Sequence, residues 1–158
     1  MKATGIVRRI DDLGRIVIPK EIRRTLRIRE GDPLEIFTDR EGKVILKKYS
    51  PIGELGTLAG IYADSLSKIL GCTVCITDTD QVIAAARNGK KELQEMLLSA
   101  ELAEVFQERK TVLKKSSDAE FVAITKDRSE YSEEIISVIL SEGDIAGGVI
   151  FLQKNEKK

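Results

Sequence analysis

Arginine side chains that could bind a polyanion are concentrated near the start of the chain. A guanidinium group donates a fork of hydrogen bonds to a phosphate or to the edge of guanine, which lysine does less well. These side chains therefore predict that the N-terminal part of the chain binds DNA. The candidate contact residues are Arg8, Arg9, Arg15, Arg23 and Arg24.

The placement of these arginines distinguishes them from an ordinary basic surface, which usually marks no more than a solvated face. Arg8 and Arg9 precede a predicted turn, and Arg15 follows it. Arg23 and Arg24 lie on the side of the next predicted helix that faces away from its apolar residues. The cations are thus arranged around two neighbouring elements, which favours binding.

The charge distribution along the chain supports this interpretation. Residues 1–50 contain 13 basic and 8 acidic side chains, whereas residues 51–158 contain 13 basic and 18 acidic ones. The formal net charge of +0 therefore combines a basic N-terminal part with an acidic remainder. This asymmetry indicates that a polyanion is held by the N-terminal part alone.

Composition argues against several other functions. The chain has no histidine and only 2 cysteines, which disfavours metal sites and histidine acid–base catalysis. Cys72 and Cys75 are three apart in a predicted strand and should point to opposite faces as reduced thiols. No apolar run reaches the roughly 18 residues of a membrane span, and the N-terminus lacks a secretion signal. We expect no enzyme activity, no metal and no cofactor.

The elements that must position the arginines are short. Turn residues occur at 11–14 and 39–42, each with glycine in the last place, and Pro19 suits the first turn of a helix. Apolar and β-branched residues between these signals predict the elements. They are strands at residues 6–10 and 16–18, a helix at residues 20–26, and a hairpin of residues 34–38 and 44–48.

Fifty residues in such short pieces bury too little surface to be stable alone. The sequence offers no disulfide or metal to compensate. The N-terminal part is therefore predicted to be an obligate dimer whose strands are completed by a second chain. Doubling of the arginines would then match the near two-fold symmetry of duplex DNA. The residues expected to contribute most to the apolar core of this dimer are Ile16, Ile18, Ile22, Leu26, Leu34 and Ile36.

The rest of the chain is predicted to form a second domain. Residues 51–53 are predicted as a linker between domains at residues 1–50 and 54–158. A helix with Gly71 as its C-cap should be followed by strands and helices of an α+β sensor-type fold. The predicted elements are a helix ending at Leu70, strands at 72–77 and 81–86, a helical region at 91–108, strands at 112–113 and 121–125, and a hairpin of 135–140 and 145–152.

The interior of this second domain is expected to leave a modest pocket between sheet and helices. Few polar groups converge there by sequence, so a small apolar or amphipathic ligand, or none, is expected. The expected core residues are Val74, Ile76, Ile83, Phe121, Val122, Ile124, Val149 and Phe151.

Three stretches of the N-terminal part, residues 4–19, 30–36 and 44–49, closely resemble the AbrB-like (SpoVT-AbrB) DNA-binding family. The resemblance implies a swapped-hairpin β-barrel formed by two interleaved chains. It also implies DNA contacts by Arg8, Arg15, Arg23 and Arg24, while Arg9 fills a position that is also basic in relatives.

Within this family the chain is most similar to the stage V sporulation protein T branch, whose members carry a GAF-like sensor domain. The closing hairpin, with Gly143-Asp144 in its turn and Gly147-Gly148 in its last strand, carries most of that likeness. The domain is expected to lack the final helix of this branch, because the sequence ends at residues 155–158. Without this helix, pairing between sensor domains would be affected.

These patterns and the resemblance predict a cytoplasmic, nucleoid-associated transcriptional regulator that selects DNA sequences in the sporulation programme. It should be a dimer through its N-terminal domain, and it should assemble into a tetramer or bind a small molecule of unknown identity through its C-terminal domain. The alternative is an antitoxin-type DNA-binding protein whose C-terminal part binds a partner protein. A small-molecule-binding protein that does not touch DNA is a third hypothesis, which the arginines disfavour.

Overall fold

The computed structural model describes residues 5–126 and 131–154. The chain divides into two compact units, Met1–Tyr49 and Ser50–Lys158. Each unit has its own sheet, and the two sheets differ in size. No helix within the described ranges combines the length and the apolar character needed to cross a membrane.

The first unit contains one short helix and one hairpin. Helix α1 (Lys20–Thr25) begins directly after Pro19, whose φ of −56° already suits a helix. Strands β1 (Leu34–Thr38) and β2 (Val44–Lys48) pair antiparallel in a continuous register. The predicted helix and the predicted hairpin are therefore both present.

The two strands predicted before α1 differ from the structure. Residues 6–10 and 16–18 form no β-ladder among the described residues. A strand needs a neighbour to accept and donate its backbone hydrogen bonds, and local β-propensity cannot supply one. Within the described part of a single chain these two segments have no such neighbour.

The described residues of the first unit form no hydrophobic core of their own. The buried apolar residues that form the core of the described chain all lie outside residues 5–49. Of the residues expected to contribute most, Ile16, Leu26 and Ile36 are exposed, whereas Ile18, Ile22 and Leu34 are half-buried. The other exposed large hydrophobic side chains of this unit are Ile6, Val7, Ile10, Leu13, Val17, Phe37, Val44, Ile45, Leu46 and Tyr49.

The second unit is built on a five-stranded antiparallel sheet of order β4-β3-β7-β6-β5. Its strands are β3 (Thr73–Thr77), β4 (Val82–Ala85), β5 (Val112–Lys115), β6 (Tyr131–Ser141) and β7 (Asp144–Lys154). The predicted strand pair after Gly71 and the closing hairpin are confirmed, although the hairpin is longer than expected. The α+β class is likewise confirmed.

Helices cover both faces of this sheet. The helix α3 (Gly56–Leu70) packs its small residues Ala59 and Ala63 on one face. It ends at Gly71, whose φ of +71° is readily available to glycine, as the sequence predicted. The opposite face is covered by α5 (Ala100–Gln107) and by the irregular chain that follows β5.

The predicted linker, residues 51–53, instead lies in the short helix α2 (Pro51–Glu54). Ser50 caps this helix, because its hydroxyl oxygen accepts a hydrogen bond from the Gly53 amide at 2.9 Å. The same hydroxyl donates to the Asp78 carboxylate at 2.9 Å. The bond to Asp78, directly after β3, attaches the start of the second unit to the end of that strand, so the segment is not a free connector.

The predicted helical region 91–108 is interrupted. It consists of α4 (Gly89–Glu92) and α5, separated by an extended piece in which Leu97 bridges to Gln81. Leu97 is consequently exposed and does not share the buried face expected of it. The apolar spacing at residues 93–103 fitted a helix, but Ser99 caps α5 and marks its true start.

The predicted strand 121–125 was also wrong, since this segment has only an isolated bridge between Thr125 and Leu98. Its carbonyls accept hydrogen bonds from Ser99 instead: the backbone N–H reaches the Ile124 oxygen at 2.9 Å and the hydroxyl reaches the Ala123 oxygen at 2.6 Å. Residues 155–158, on which the expectation of a missing final helix depended, lie outside the described residues.

The core of the second unit forms one cluster on each face of the sheet. Val74, Ile76 and Ile124 are buried as expected, and the other five expected residues are half-buried. Cys72 and Cys75 are free thiols in opposite clusters, and burial raises the pKa of Cys75 to about 12. The expected core omitted several fully buried residues, including Leu98, Leu102, Phe106, Ile136, Ile150 and Leu152.

Gly148 shows how α5 is seated on the sheet. A Cβ atom at Gly148 would lie 2.7 Å from Cε1 of Phe106, which is closer than real Cβ atoms approach. Any larger residue there would push the Phe106 ring, and with it α5, away from β7. The glycine therefore sets the distance between helix and sheet.

Candidate nucleic-acid interface

A tight turn at residues 11–15 presents Arg15. The amide of Asp11 donates to the Arg15 carbonyl at 3.1 Å, and the amide of Gly14 donates to the Asp11 carbonyl at 3.0 Å. Gly14 adopts a φ of +76°, which disfavours a side chain at that place. The Asp11 carboxylate accepts from the amides of Leu13 and Arg15, so one aspartate organises the whole turn.

The same carboxylate orients the arginine side chain. Nε of Arg15 lies 2.8 Å from Oδ2 of Asp11, and the Arg15 side chain is 70% exposed. The Arg15 amide and the Arg15 side chain both donate to Asp11, and these bonds lower the pKa of its carboxyl group. Because the bond to Asp11 is made by Nε, the terminal nitrogens of the guanidinium group can meet an anion from solvent.

A second turn in the same unit repeats this construction. Asp39 donates its amide to the Lys43 carbonyl at 3.1 Å, and its carboxylate accepts from the amides of Glu41 and Lys43. Gly42 takes a φ of +79°, as Gly14 does. Both turns have the pattern Asp-x-x-Gly followed by a basic residue. The two turns therefore share an aspartate that organises the loop, in addition to the glycine in the last place of each.

Helix α1 presents the next two arginines. Arg23 and Arg24 occupy consecutive positions and are both exposed. Nε of Arg23 donates to the Ile18 carbonyl at 3.2 Å, which anchors the base of its side chain to the chain before the helix. Ile22, between Pro19 and these arginines, is half-buried and turns the arginine-bearing face outward.

Arg8 and Arg9 lie in the extended segment before the first turn and are both exposed. The structure therefore places all five candidate arginines on the surface of the first unit, three of them around one turn and two on α1. Asp11 is the residue that sequence reasoning overlooked as a positioning group. The turn pattern that residues 11–15 share with residues 39–43 could have indicated this role of Asp11.

This surface is suited to binding rather than to chemistry. Arginine side chains can donate hydrogen bonds to phosphates and to guanine edges. Among the described residues, no group of histidine, cysteine, aspartate and glutamate side chains is arranged to hold a metal ion.

Both parts of the chain match known protein families. Residues 54–158 match the family described as "Stage V sporulation protein T C-terminal, transcription factor". Residues 7–54 match the family described as "Antidote-toxin recognition MazE, bacterial antitoxin".

Similar individual proteins come from Bacillus subtilis (strain 168). The chain is 52% identical over 160 residues to its stage V sporulation protein T, a match that covers 99% of this chain and 87% of that protein. It is 44% identical over 96 residues to its transition state regulatory protein AbrB, covering 60% of this chain and 98% of AbrB. A solution structure of the N-domain of abrB is 67% identical over 32% of this chain and 96% of that domain, with a TM-score of 0.30.

Proposed function

Because the chain belongs to the stage V sporulation protein T family of transcription factors, we propose that it is a sequence-selective DNA-binding regulator of the sporulation programme. The observation that carries this function is the exposure of five arginines on a basic unit that has no core of its own among its described residues. This function requires no catalytic residue and no cofactor. A regulator of this kind would lie in the cytoplasm, associated with the nucleoid.

The N-terminal unit is proposed to work as a dimer with a swapped-hairpin barrel. Its apolar side chains remain exposed in the single chain, and covering them is worth about 25 cal/mol for each Å². The unpaired segments 6–10 and 16–18 flank a hydrogen-bonded turn and need neighbouring strands. A second chain would supply both the apolar cover and the missing strand partners.

Arg8, Arg9, Arg15, Arg23 and Arg24 are proposed as the DNA contacts. Contacts to phosphates would supply most of the affinity, and arginines that reach base edges would supply selectivity. Asp11 would fix Arg15 at the tip of its turn before DNA arrives, so that less side-chain freedom is lost on binding.

The salt dependence of binding tests this function. The slope of log K against log salt is about −7 if eight phosphates are neutralised by Arg8, Arg15, Arg23 and Arg24 of two chains. We expect a shallower slope, because some of these arginines should reach bases. Fluorescence anisotropy of a labelled duplex, titrated with the intact protein at increasing salt, measures it. Binding that does not weaken with salt would contradict a phosphate-contacting surface.

The C-terminal unit is proposed to be a GAF-like domain that senses a ligand or assembles dimers into tetramers. An exposed apolar seam on α3 supports assembly. Its residues recur at intervals of three and four, as in the seam of a coiled coil. They are Leu58, Tyr62 and Ile69 of α3 and Leu55 at its N-cap, with Ser65 at the remaining position.

A charge placed in the seam tests this assembly. Leu58→Asp should convert the tetramer into dimers, because two or more copies of the charge would be buried without partners. Lys68→Asp, on an exposed position of α3 outside the seam, is the matched control and should leave assembly unchanged. Sedimentation equilibrium of the intact proteins gives the masses. A wild-type protein that is strictly dimeric would rule out the tetramer.

The antitoxin alternative is less supported. The match of residues 7–54 to an antitoxin family concerns the DNA-binding part, which both functions would share. The remaining residues match the C-terminal domain of a transcription factor and form a folded unit with two buried clusters. Antitoxin segments that wrap a toxin are expected to be short and disordered.

A further inference from the structure

Glu134 is a carboxylic acid buried in the core of the second unit. It lies in β6, and its side chain faces the same side of the sheet as Ile136, so that only 1% of the residue is exposed. Across the sheet it stands opposite Lys114 of β5 and Leu152 of β7. The adjacent Glu133 faces the other way and is exposed, as strand alternation requires.

The hydrogen bonding of Glu134 is incomplete. The Val122 amide donates to Oε1 at 3.0 Å, whereas Oε2 is buried and has no hydrogen-bond partner in the described part of the chain. The ammonium group of Lys114 is paired with Glu120 of the covering segment. Burial is the main reason that the pKa of Glu134 rises to about 7. The core thus holds a carboxyl group whose second oxygen lacks a hydrogen bond within the described residues.

Such a group is costly, because a buried polar atom without a partner loses the hydrogen bonds that water would give it. Its surroundings are otherwise apolar. Ile136, Leu152 and Ile124 are buried in the same cluster, and Phe121 and Val122 pack against it. A molecule that supplied a donor to Oε2 and an apolar body to these side chains would remove the cost.

Such a molecule could reach Glu134 only if the chain segment that covers it opened. Residues 116–126 cover this part of the sheet without forming a helix or a strand. The segment is held by the hydrogen bonds from Ser99 to Ala123 and Ile124, the Val122 bond to Glu134 and the Lys114–Glu120 ion pair. The Ser116 amide also donates to the Ser132 carbonyl at 2.7 Å, and Thr125 bridges to Leu98. A segment held by a few separate bonds can open locally at a small part of the cost of unfolding the sheet.

We propose that Glu134 anchors a binding site for a small primary amine with an apolar body, whose ammonium group pairs with Oε2 beneath residues 116–126. An ammonium group would supply a hydrogen-bond donor and a positive charge to Oε2, whereas the nearby Lys114 ammonium group is already paired with Glu120. The inference rests on the proposed sensor role of the second unit and gives that role a ligand class. It does not depend on DNA binding by the first unit.

Isoamylamine is a suitable probe, and isoamyl alcohol is its uncharged counterpart with the same apolar body. Isoamylamine should raise the unfolding midpoint of the second unit in the intact protein in a concentration-dependent way, and isoamyl alcohol should do so far less. Glu134→Gln keeps the acceptor for the Val122 amide but removes the charge. It should weaken the apparent affinity for isoamylamine about 10- to 100-fold.

The dependence on pH gives a second readout. The titratable groups on the elements packed against Glu134 include Lys114 and Glu120, which pair with each other, and Tyr131, whose hydroxyl donates to Glu92. The covering segment also carries Asp118, which accepts from the Lys115 amide, and the exposed Lys126. Towards the site, β7 presents Leu152, and the buried residues of α5 are Leu102, Ala103 and Phe106. None of these side chains titrates. Ionised Glu134 binds the ammonium group, so the shift should be larger at about pH 8 than at about pH 6.

Glu133→Gln is the matched control, since it removes a carboxylate from the exposed face of the same strand. It should respond to isoamylamine as the wild type does. Equal responses in wild type and Glu134→Gln, or no response in the wild type, would overturn the proposal. Anisotropy with duplex DNA on the same preparations reports the first unit separately, so a failure there is distinguishable from a failure at Glu134.

Discussion

Replacing Arg23 and Arg24 together by alanine is expected to abolish DNA binding. The double substitution removes four guanidinium groups from a dimer, and each well-formed bidentate contact to a base is worth about 1–3 kcal/mol. If all four reach bases, the lower limit gives a loss of about 4 kcal/mol, or roughly 1,000-fold in affinity. Both side chains are exposed on α1, so the fold should not change. Anisotropy with a labelled duplex at moderate salt measures the effect.

The matched control removes the same charge from the other unit. Lys68→Ala combined with Lys110→Ala takes two exposed cations from the acidic C-terminal part and should leave affinity within a few-fold of wild type. Sedimentation should give the same mass for both double variants and for the wild type. Unchanged affinity in the Arg23→Ala, Arg24→Ala protein would remove α1 from the DNA interface.

Introducing an acidic side chain at Ile36 is expected to unfold the N-terminal unit. Ile36 is 69% exposed in the single chain, so a monomeric unit would tolerate Ile36→Asp at little cost. In the proposed barrel the same position is shared core, where a charge without a partner costs several kcal/mol. Loss of the N-terminal unfolding transition and of DNA binding should therefore accompany the substitution, as measured by calorimetry and anisotropy on the intact protein.

Ile36→Leu serves as the control, because it preserves the apolar volume at the same position and should retain binding and fold. An Ile36→Asp protein that keeps both would show that this face of β1 is solvent-exposed in the working molecule. The swapped-hairpin dimer would then have to be abandoned.

The turns and caps of this protein were predictable, because their signals are local. Gly71 ends α3 and Pro19 precedes α1, as their positions in the sequence suggested. The hairpin of β1 and β2 follows from the turn at Asp39 and Gly42, where one carboxylate and one positive φ close the loop. The exposed arginines around these elements could be identified for the same reason.

Periodicity was misleading where another element decided the structure. Apolar spacing at residues 93–103 fitted a helix, yet the bridge from Leu97 to Gln81 holds part of that segment extended. Residues 121–125 had the composition of a strand, but hydrogen bonds to Ser99 occupy their carbonyls. In both places a contact with a distant part of the chain outweighed local preference.

The sequence by itself determined the division of charge, the arginine positions, the principal turns and the α+β class, because composition and short-range backbone chemistry fix these features. Only the tertiary structure decided which of two adjacent glutamates, Glu133 or Glu134, is buried, and that no core forms within the described residues of the first unit. Burial depends on which distant segments cover a residue, and no local pattern encodes that arrangement.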